Sequence, residues 1–277
     1  MTPIDLHCHS NLSDGVLPPA EVVARAAARG CQLLALTDHD ELSGLPEARA
    51  EADRLGLRFI NGVEISVTWR KRTLHMLGLN IALDNTLLNE GLTEVRSGRT
   101  ERAQRMGESL AKAGIADAYE GARRYATNPE ILSRTHFARY LVEIGAAKDV
   151  RAVFKRYLIK GKPGYVSHEW ANFADAIQWI KAAGGLAVIA HPGRYDIGKG
   201  LLLDLLKDFK AENGDGIEVV TSNHDVDQIR QFGLLAQQFD LLASCGSDFH
   251  APGETWCEPG ILPDLPYNCR PVWERFN

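Results

Sequence analysis

The chain has no CxxC pair, and its apolar runs, such as Leu33 to Leu36 and Leu186 to Ala190, are no longer than a strand. The five cysteines, Cys8, Cys31, Cys245, Cys257 and Cys269, are odd in number and scattered. That argues against a disulfide framework and against a thiolate zinc site. Strand-length apolar runs are too short to cross a bilayer. The N-terminus lacks the basic start and apolar stretch of a secretory signal. A cytoplasmic protein with no membrane association is expected. Internal repeats, low-complexity tracts and disordered linkers are also missing, so 277 residues suit one large domain or a domain with an insertion.

Seven short runs rich in Leu or β-branched residues read as strands: 3–8, 33–37, 58–67, 73–81, 186–190, 216–221 and 241–244. Amphipathic helical patterns lie between many of them. The stretch 18–29 opens on two prolines and ends before Gly30, as helices do. Further helices are expected at 43–55, 173–183, 201–211 and 226–239. Repeated strand–helix units imply a parallel sheet with helices outside. The expected fold class is α/β, a closed or nearly closed seven-stranded barrel related to the (β/α)₈ type. Residues 85–162 break the rhythm and read as helices only. They are expected to form an all-helical insertion, leaving 1–84 and 163–277 as the barrel.

Strand C-termini form the active face of such barrels, and here they are crowded with one kind of residue. His7 and His9 lie two apart on an extended segment, so both project to one side, while Cys8 points to the other as buried filler. Asp14 follows in the first loop. Thr37-Asp38-His39-Asp40, Glu64, His75, His191, and Asp248-Phe249-His250 populate the other ends. Each alone is ordinary: a lone His is usually a surface or hydrogen-bonded core residue. Gathered at one rim, so many polar groups would be costly without cations to bind them. Imidazoles mixed with carboxylates suit Zn²⁺, Mn²⁺ or Fe²⁺, and the absence of thiolates disfavours soft metals.

The successive segments HCHSNLSDG, LTDHD, GVEIS, HMLG, AHPGR and GSDFH resemble the motifs of the PHP (polymerase and histidinol phosphatase) family within the amidohydrolase superfamily. The resemblance implies a distorted (β/α)₇ barrel holding two or three divalent ions, with Mn²⁺ expected. It implies that His7, His9, Glu64 and Asp248 hold one ion. Glu64 would bridge to a second, also held by His75 and His191, and Asp14, His39 and His250 would hold the third. Shorter segments, SRTHFA, GKPGYV and HPGRY, resemble the stand-alone bacterial branch whose members hydrolyse nucleotide 3′,5′-bisphosphates or degrade RNA from its 5′ end. The implied reaction is removal of a 3′-phosphate by direct attack of a metal-bridging hydroxide, with Glu64 and Asp248 as catalytic ligands and no phosphoenzyme.

Charge is distributed unevenly. Residues 99–162 carry 14 Lys/Arg against 7 Asp/Glu, a balance of +7 on a body of −12. A basic segment beside a metal rim favours an anionic ligand, although many of these charges are simply a solvated helical surface. Arg194, just past His191, is placed to clamp the phosphate that is cleaved. Arg134 is either a second phosphate ligand or a helix-surface arginine. Lys160, Lys162 and Tyr165 are candidates to close over a nucleotide. The segment Thr221-Ser222-Asn223-His224 lacks a metal ligand. Ser222 and His224 are candidates for substrate binding there. His224 is equally suited to protonate a leaving alkoxide or to cap the next helix. His136 and His168 are expected to be structural. Histidinol phosphate hydrolysis, exonuclease action on short RNA, a non-catalytic module serving a polymerase and C–N bond hydrolysis are the rivals. The full ligand set, and a chain that ends at residue 277 with no polymerase attached, disfavour the module. No obligate protein partner is evident.

Overall fold

The computed structural model describes residues 3–254 and 257–276. In chain order the elements are β1 (Ile4–Asp5), α1 (Pro19–Ala27), β2 (Leu33–Leu36), α2 (Leu45–Leu55), β3 (Arg58–Trp69), β4 (Arg72–Leu79), α3 (Thr86–Lys112), α4 (Ala118–Arg123), α5 (Arg134–Glu143) and α6 (Val150–Val153). After a π-helical turn at Phe154–Leu158 come β5 (Ala171–Asn172), α7 (Phe173–Ala182), β6 (Leu186–Ile189), α8 (Lys199–Ala211), β7 (Gly216–Thr221), α9 (Val226–Gln238) and β8 (Leu242–Gly246).

Seven of the strands form the sheet β1-β2-β3-β4-β6-β7-β8, and the two-residue β5 pairs with β3 off this path. The ends of the sheet meet. Leu6 N–H donates to Cys245 O at 3.0 Å, His9 N–H to Phe249 O at 2.9 Å and Asp248 N–H to His7 O at 2.7 Å. The result is a nearly closed seven-stranded α/β barrel wrapped by helices. Barrel and helices share one apolar core, which includes the buried residues Leu6, Leu34, Leu36, Ile65 and Leu77.

One expectation is corrected. The sheet is not all parallel, because β4 runs antiparallel to both β3 and β6. The cause is local: Trp69 pairs with Arg72, so Arg70 and Lys71 alone turn the chain, both at positive φ (45° and 61°). A two-residue loop of that kind can only join antiparallel strands. His75 therefore sits mid-strand on a reversed β4, opposite Ser66, and Glu64 sits midway along the twelve-residue β3.

Helix α3 links two hydrophobic cores. Asn85 caps its N-terminus, its Oδ1 accepting from Leu88 N–H at 3.0 Å. Leu88, Leu92 and Val95 pack into the barrel core. Two turns further on, Ala103, Met106 and Leu110 pack with Phe137, Leu141, Val153 and Leu158 in a second cluster. Helices α3 to α6 thus lie over the barrel rim with a core of their own. No helix among the described residues is long and apolar enough to cross a membrane.

Candidate metal centre

Nine side chains from separate loops and strands converge at the rim. Four overlapping groups have donor atoms close enough to share an ion: His9, Asp14, His39 and His250; His7, His191 and Asp248; His7, His9 and Glu64; and His39, Glu64 and His75. His7 and His9 follow β1, and their Nε2 atoms lie 3.2 Å apart. Glu64 Oε2 is 3.3 Å from each of these and 2.9 Å from His39 Nδ1. Its other oxygen, Oε1, lies 2.8 Å from His75 Nδ1 and 2.9 Å from His191 Nε2. Glu64 is thus the hub, with one oxygen toward each half of the cluster. Asp248 Oδ1 lies 3.3 Å from His9 Nε2, and Asp14 Oδ1 lies 3.1 Å from His250 Nε2. Asp14, His39 and His250 therefore gather at one end, and His9 joins them there as well as meeting His7 and Glu64.

The donor set fits divalent cations. Asp14 Oδ1 and Glu64 Oε2 are buried carboxylate oxygens that face imidazoles without a well-formed hydrogen bond. Leaving such atoms unpaired costs several kcal/mol unless a cation satisfies them, by about 1–3 kcal/mol or more each. Burial raises the carboxyls of Glu64 and Asp248, but neighbouring cations outweigh it. His39, His75 and His7 hold Glu64 well below the ordinary range, and Arg194 and His7 do the same for Asp248. Both stay anionic, as metal ligands must. Backbone strain marks the same place: His191 (φ 26°) and Asp248 (φ 53°) adopt conformations rare for residues with a Cβ.

A surrounding layer, of which the sequence flagged only Asp38, orients these ligands. Glu218, fully buried on β7, lies 3.1 Å from His7 Nδ1 with both oxygens, and its Oε2 accepts from His191 N–H at 2.6 Å. Asp38 accepts from Ser10 N–H at 2.7 Å and from the hydroxyls of Ser10 and Ser13 at 2.5 Å, fixing the loop that carries Asp14. The helical layer reaches the centre directly. Ser133 Oγ donates to Asp14 Oδ2 at 2.8 Å, and Arg139 Nη1 donates to Asp14 O at 2.7 Å. The only sequence sign for Glu218 was a carboxylate inside an apolar strand, GIEVVT.

Other expected residues divide. Arg194 lies at the rim with Nη2 2.6 Å from Asp248 Oδ2, and the Asn223 amide oxygen accepts from its Nε and Nη2 at 2.7 and 2.6 Å. Ser222 is buried beside Asn223 at the end of β7. Arg134 opens α5 half-buried, close enough for its charge to be felt by Asp14 and Arg194. Lys160 is exposed beyond the π-helical turn. His224 has another occupation than the expected acid or phosphate ligand. Its Nδ1 donates to Val219 O at 2.9 Å and its Nε2 accepts from Gly193 N–H at 3.1 Å, so both ring nitrogens brace the backbone. Cys8 turns its thiol away from the metal rim, to Ala35 O at 3.3 Å.

A barrel rim with such a donor set and an arginine at its edge suits a metal-dependent hydrolase that acts on anionic esters. The chain belongs to the PHP domain family, which matches residues 5–188. It is 56% identical over 276 residues, 100% of this chain and 97% of the other, to a 3′,5′-nucleoside bisphosphate phosphatase of Chromobacterium violaceum. A 5′-3′ exoribonuclease of Haemophilus influenzae is 45% identical over 98% of each chain. A solved structure of an amidohydrolase from Chromobacterium violaceum, with bound sulfate and no metal, superposes with a TM-score of 0.97 at 55% identity, covering 99% of this chain and 96% of that one.

Proposed function

We propose that the chain removes the 3′-phosphate from nucleoside 3′,5′-bisphosphates and releases a 5′-nucleotide and phosphate. The observation that carries this reading is the whole-length identity of 56% with a phosphatase of that name, on a chain whose donor cluster is intact. His7, His9, Asp14, His39, Glu64, His75, His191, Asp248 and His250 would hold two or three ions; the donor set suits Zn²⁺, Mn²⁺ or Fe²⁺, and Mn²⁺ is the one the family resemblance implies. When bound, such ions draw charge from phosphoryl oxygens and acidify water enough to supply a nucleophile near neutral pH.

The residues of the chain do the rest. Glu218 fixes the ring of His7 so that Nε2 faces the cluster. Arg194, held by Asn223, presents a planar fork to the phosphate being cleaved. The helical segment 85–162 supplies Arg134 and closes the rim through Ser133 and Arg139, which excludes bulk water and strengthens these contacts. Ser222 and Lys160 are assigned to substrate binding in this reading. Cys8, Cys31 and Cys245, buried as free thiols, accord with a reducing, cytoplasmic setting.

Stripping the metals, restoring Mn²⁺ and following phosphate release from adenosine 3′,5′-bisphosphate and histidinol phosphate tests the proposal. Preference for the bisphosphate, giving 5′-AMP, is the expected result, and preference for histidinol phosphate refutes it. Exonuclease action on short 5′-phosphorylated RNA is a second reading, favoured by the 45% identity with an exoribonuclease. Release of mononucleotides from such RNA by the same preparation would establish it.

A further inference from the structure

The helical segment 85–162 meets the rim at few points, and these are not spread evenly over the nine donors. Among the described residues, its hydrogen bonds to the rim fall on Asp14, Asp40, Glu41, Ser66 and Glu254. From α5, Ser133 Oγ donates to Asp14 Oδ2 at 2.8 Å while it accepts from Thr135 N–H at 3.0 Å. One hydroxyl thus caps the helix and holds a ligand carboxylate, which leaves Asp14 Oδ1 to face His250 Nε2 at 3.1 Å. Arg139 donates through Nη1 to Asp14 O at 2.7 Å, and its Nε lies 3.2 Å from Glu254 Oε1 in the loop that follows His250. The two loops are also joined directly, since Val16 N–H donates to His250 O at 2.9 Å.

Helix α3 grips the loop that carries His39. Arg96 and Arg99 lie three apart and share a helix face. Arg96 Nη1 donates to Asp40 O at 2.8 Å, and Arg99 Nε donates to Asp40 Oδ2 at 2.9 Å. Asp40 directly follows His39 and holds φ at 52°, a backbone that persists in a residue with a Cβ only where its surroundings enforce it. One residue on, Asn128 Nδ2 donates to Glu41 Oε2 at 2.9 Å. The supports of the other donors come from the barrel. Glu218 holds His7 and His191, the Tyr195 hydroxyl accepts from His75 N–H at 2.9 Å, and Arg194 pairs with Asp248. Arg99 Nη2 also reaches Ser66 Oγ at 2.9 Å, two residues beyond Glu64, the donor common to both halves.

We infer that the helical segment selectively builds one ion site, that of His9, Asp14, His39 and His250, with Ser133 and Arg139 as its positioning residues. The Ser133 hydroxyl fixes which Asp14 oxygen faces the ion. Arg139 fixes the Asp14 backbone against the loop that carries His250. A ligand oriented in advance binds more tightly, because its ordering is complete before the ion arrives. Ions held by His7, Glu64, His75, His191 and Asp248 need neither contact. The inference rests on the metal-centre reading, and it makes occupancy of this one site a property of the helical segment rather than of the barrel.

The test counts metal. Metal-free wild type, Ser133→Ala, Ser133→Thr, Arg139→Gln and Asp149→Ala are titrated with Mn²⁺ by calorimetry, and bound Mn²⁺ is measured after dialysis. His250→Ala and His75→Ala identify the classes of binding by which one each removes. Ser133→Ala and Arg139→Gln should weaken the class lost in His250→Ala by about 10- to 100-fold and leave the class lost in His75→Ala unchanged. Ser133→Thr keeps the hydroxyl and should bind as the wild type does. Asp149 caps α6 in the same helical layer, accepting from Ala152 N–H at 2.7 Å. Its Ala variant should lower the melting temperature and leave metal binding intact. Equal weakening of both classes, or the same loss in Asp149→Ala, would show that the layer only holds the fold together, and overturns the inference. Wild-type Mn²⁺ binding in Ser133→Ala or in Arg139→Gln overturns it as well. A wild type that binds no Mn²⁺ sinks the metal-centre reading and the inference with it.

Discussion

Replacing Glu218 by Gln changes one atom in a fully buried side chain, yet it should disable two metal ligands. Both Glu218 oxygens lie 3.1 Å from His7 Nδ1, and Oε2 also accepts from His191 N–H at 2.6 Å. A carboxylate accepts at both places, and an amide cannot. If the Gln oxygen serves His191 N–H, its NH₂ group faces His7 Nδ1, which must then accept. The His7 proton moves to Nε2 and blocks the metal-facing nitrogen. If the oxygen serves His7 instead, NH₂ confronts the His191 N–H, two donors with no acceptor between them. Loss of such an orienting partner weakens metal binding by about 10- to 100-fold, equivalent to about 1.4–2.8 kcal/mol. The buried donor clash costs about 1–3 kcal/mol of stability, a drop of roughly 2–6 °C in melting temperature for a chain of this size. The assay is a Mn²⁺ titration of metal-free E218Q, read by bound metal and by phosphate release. Activity should return at Mn²⁺ concentrations about 10- to 100-fold above those the wild type needs. Wild-type Mn²⁺ affinity in E218Q would refute the reasoning, because it would mean that Glu218 does not set the His7 tautomer.

Three further outcomes are expected. Burial alone would lower the His9 imidazole, but hydrogen bonds to Asp248 and Glu64 and the charge of Glu64 push it up to about 10. The metal-free protein therefore holds a proton on His9 at neutral pH that a metal must displace. Mn²⁺ binding in weak buffer should release about one proton per site or more, with affinity rising about tenfold per pH unit between roughly pH 6 and 9. Absence of proton release refutes this. His136 is held down to about 4, chiefly by burial, and its Nδ1 accepts from Ser133 N–H at 3.0 Å. Its depressed pKa means that the unfolded chain binds the proton first as pH falls. Its contribution is complete above about pH 6.5 and is lost on going down to about pH 4, a change of about 3 kcal/mol. His136→Gln keeps an acceptor for Ser133 N–H and should flatten that part of the stability profile, followed by denaturant unfolding at several pH values. An unchanged acid slope counts against the assignment. Asp40→Ala should leave Arg99 charged and unpaired between the two cores and cost about 3–5 kcal/mol. Denaturant unfolding measures it, and a loss under about 1 kcal/mol would show that the pair is solvated.

The sequence by itself determined the seven main strands and the helices between them, and it flagged nine histidines and carboxylates as candidate donors, because these are local signals. A strand announces itself by β-branched runs, a helix by the prolines that open α1, and a candidate donor by its residue type near a strand end, although Glu64 and His75 prove to lie mid-strand. Tertiary structure decided what depends on partners distant in the chain. The reversal of β4 follows from two residues, Arg70 and Lys71, taking left-handed conformations that neither residue type advertises. Whether Glu218 is a core oddity or the support of His7 is settled across 211 residues, by closure of the barrel. His224 carries the same imidazole as the metal ligands, but Val219 O and Gly193 N–H occupy both of its nitrogens. Arg99 and Arg102 look alike on one helix face. Only the fold supplies Asp40 to the first and, among the described residues, no carboxylate to the second, since charge is local to a residue while its neutralisation belongs to the assembled interior.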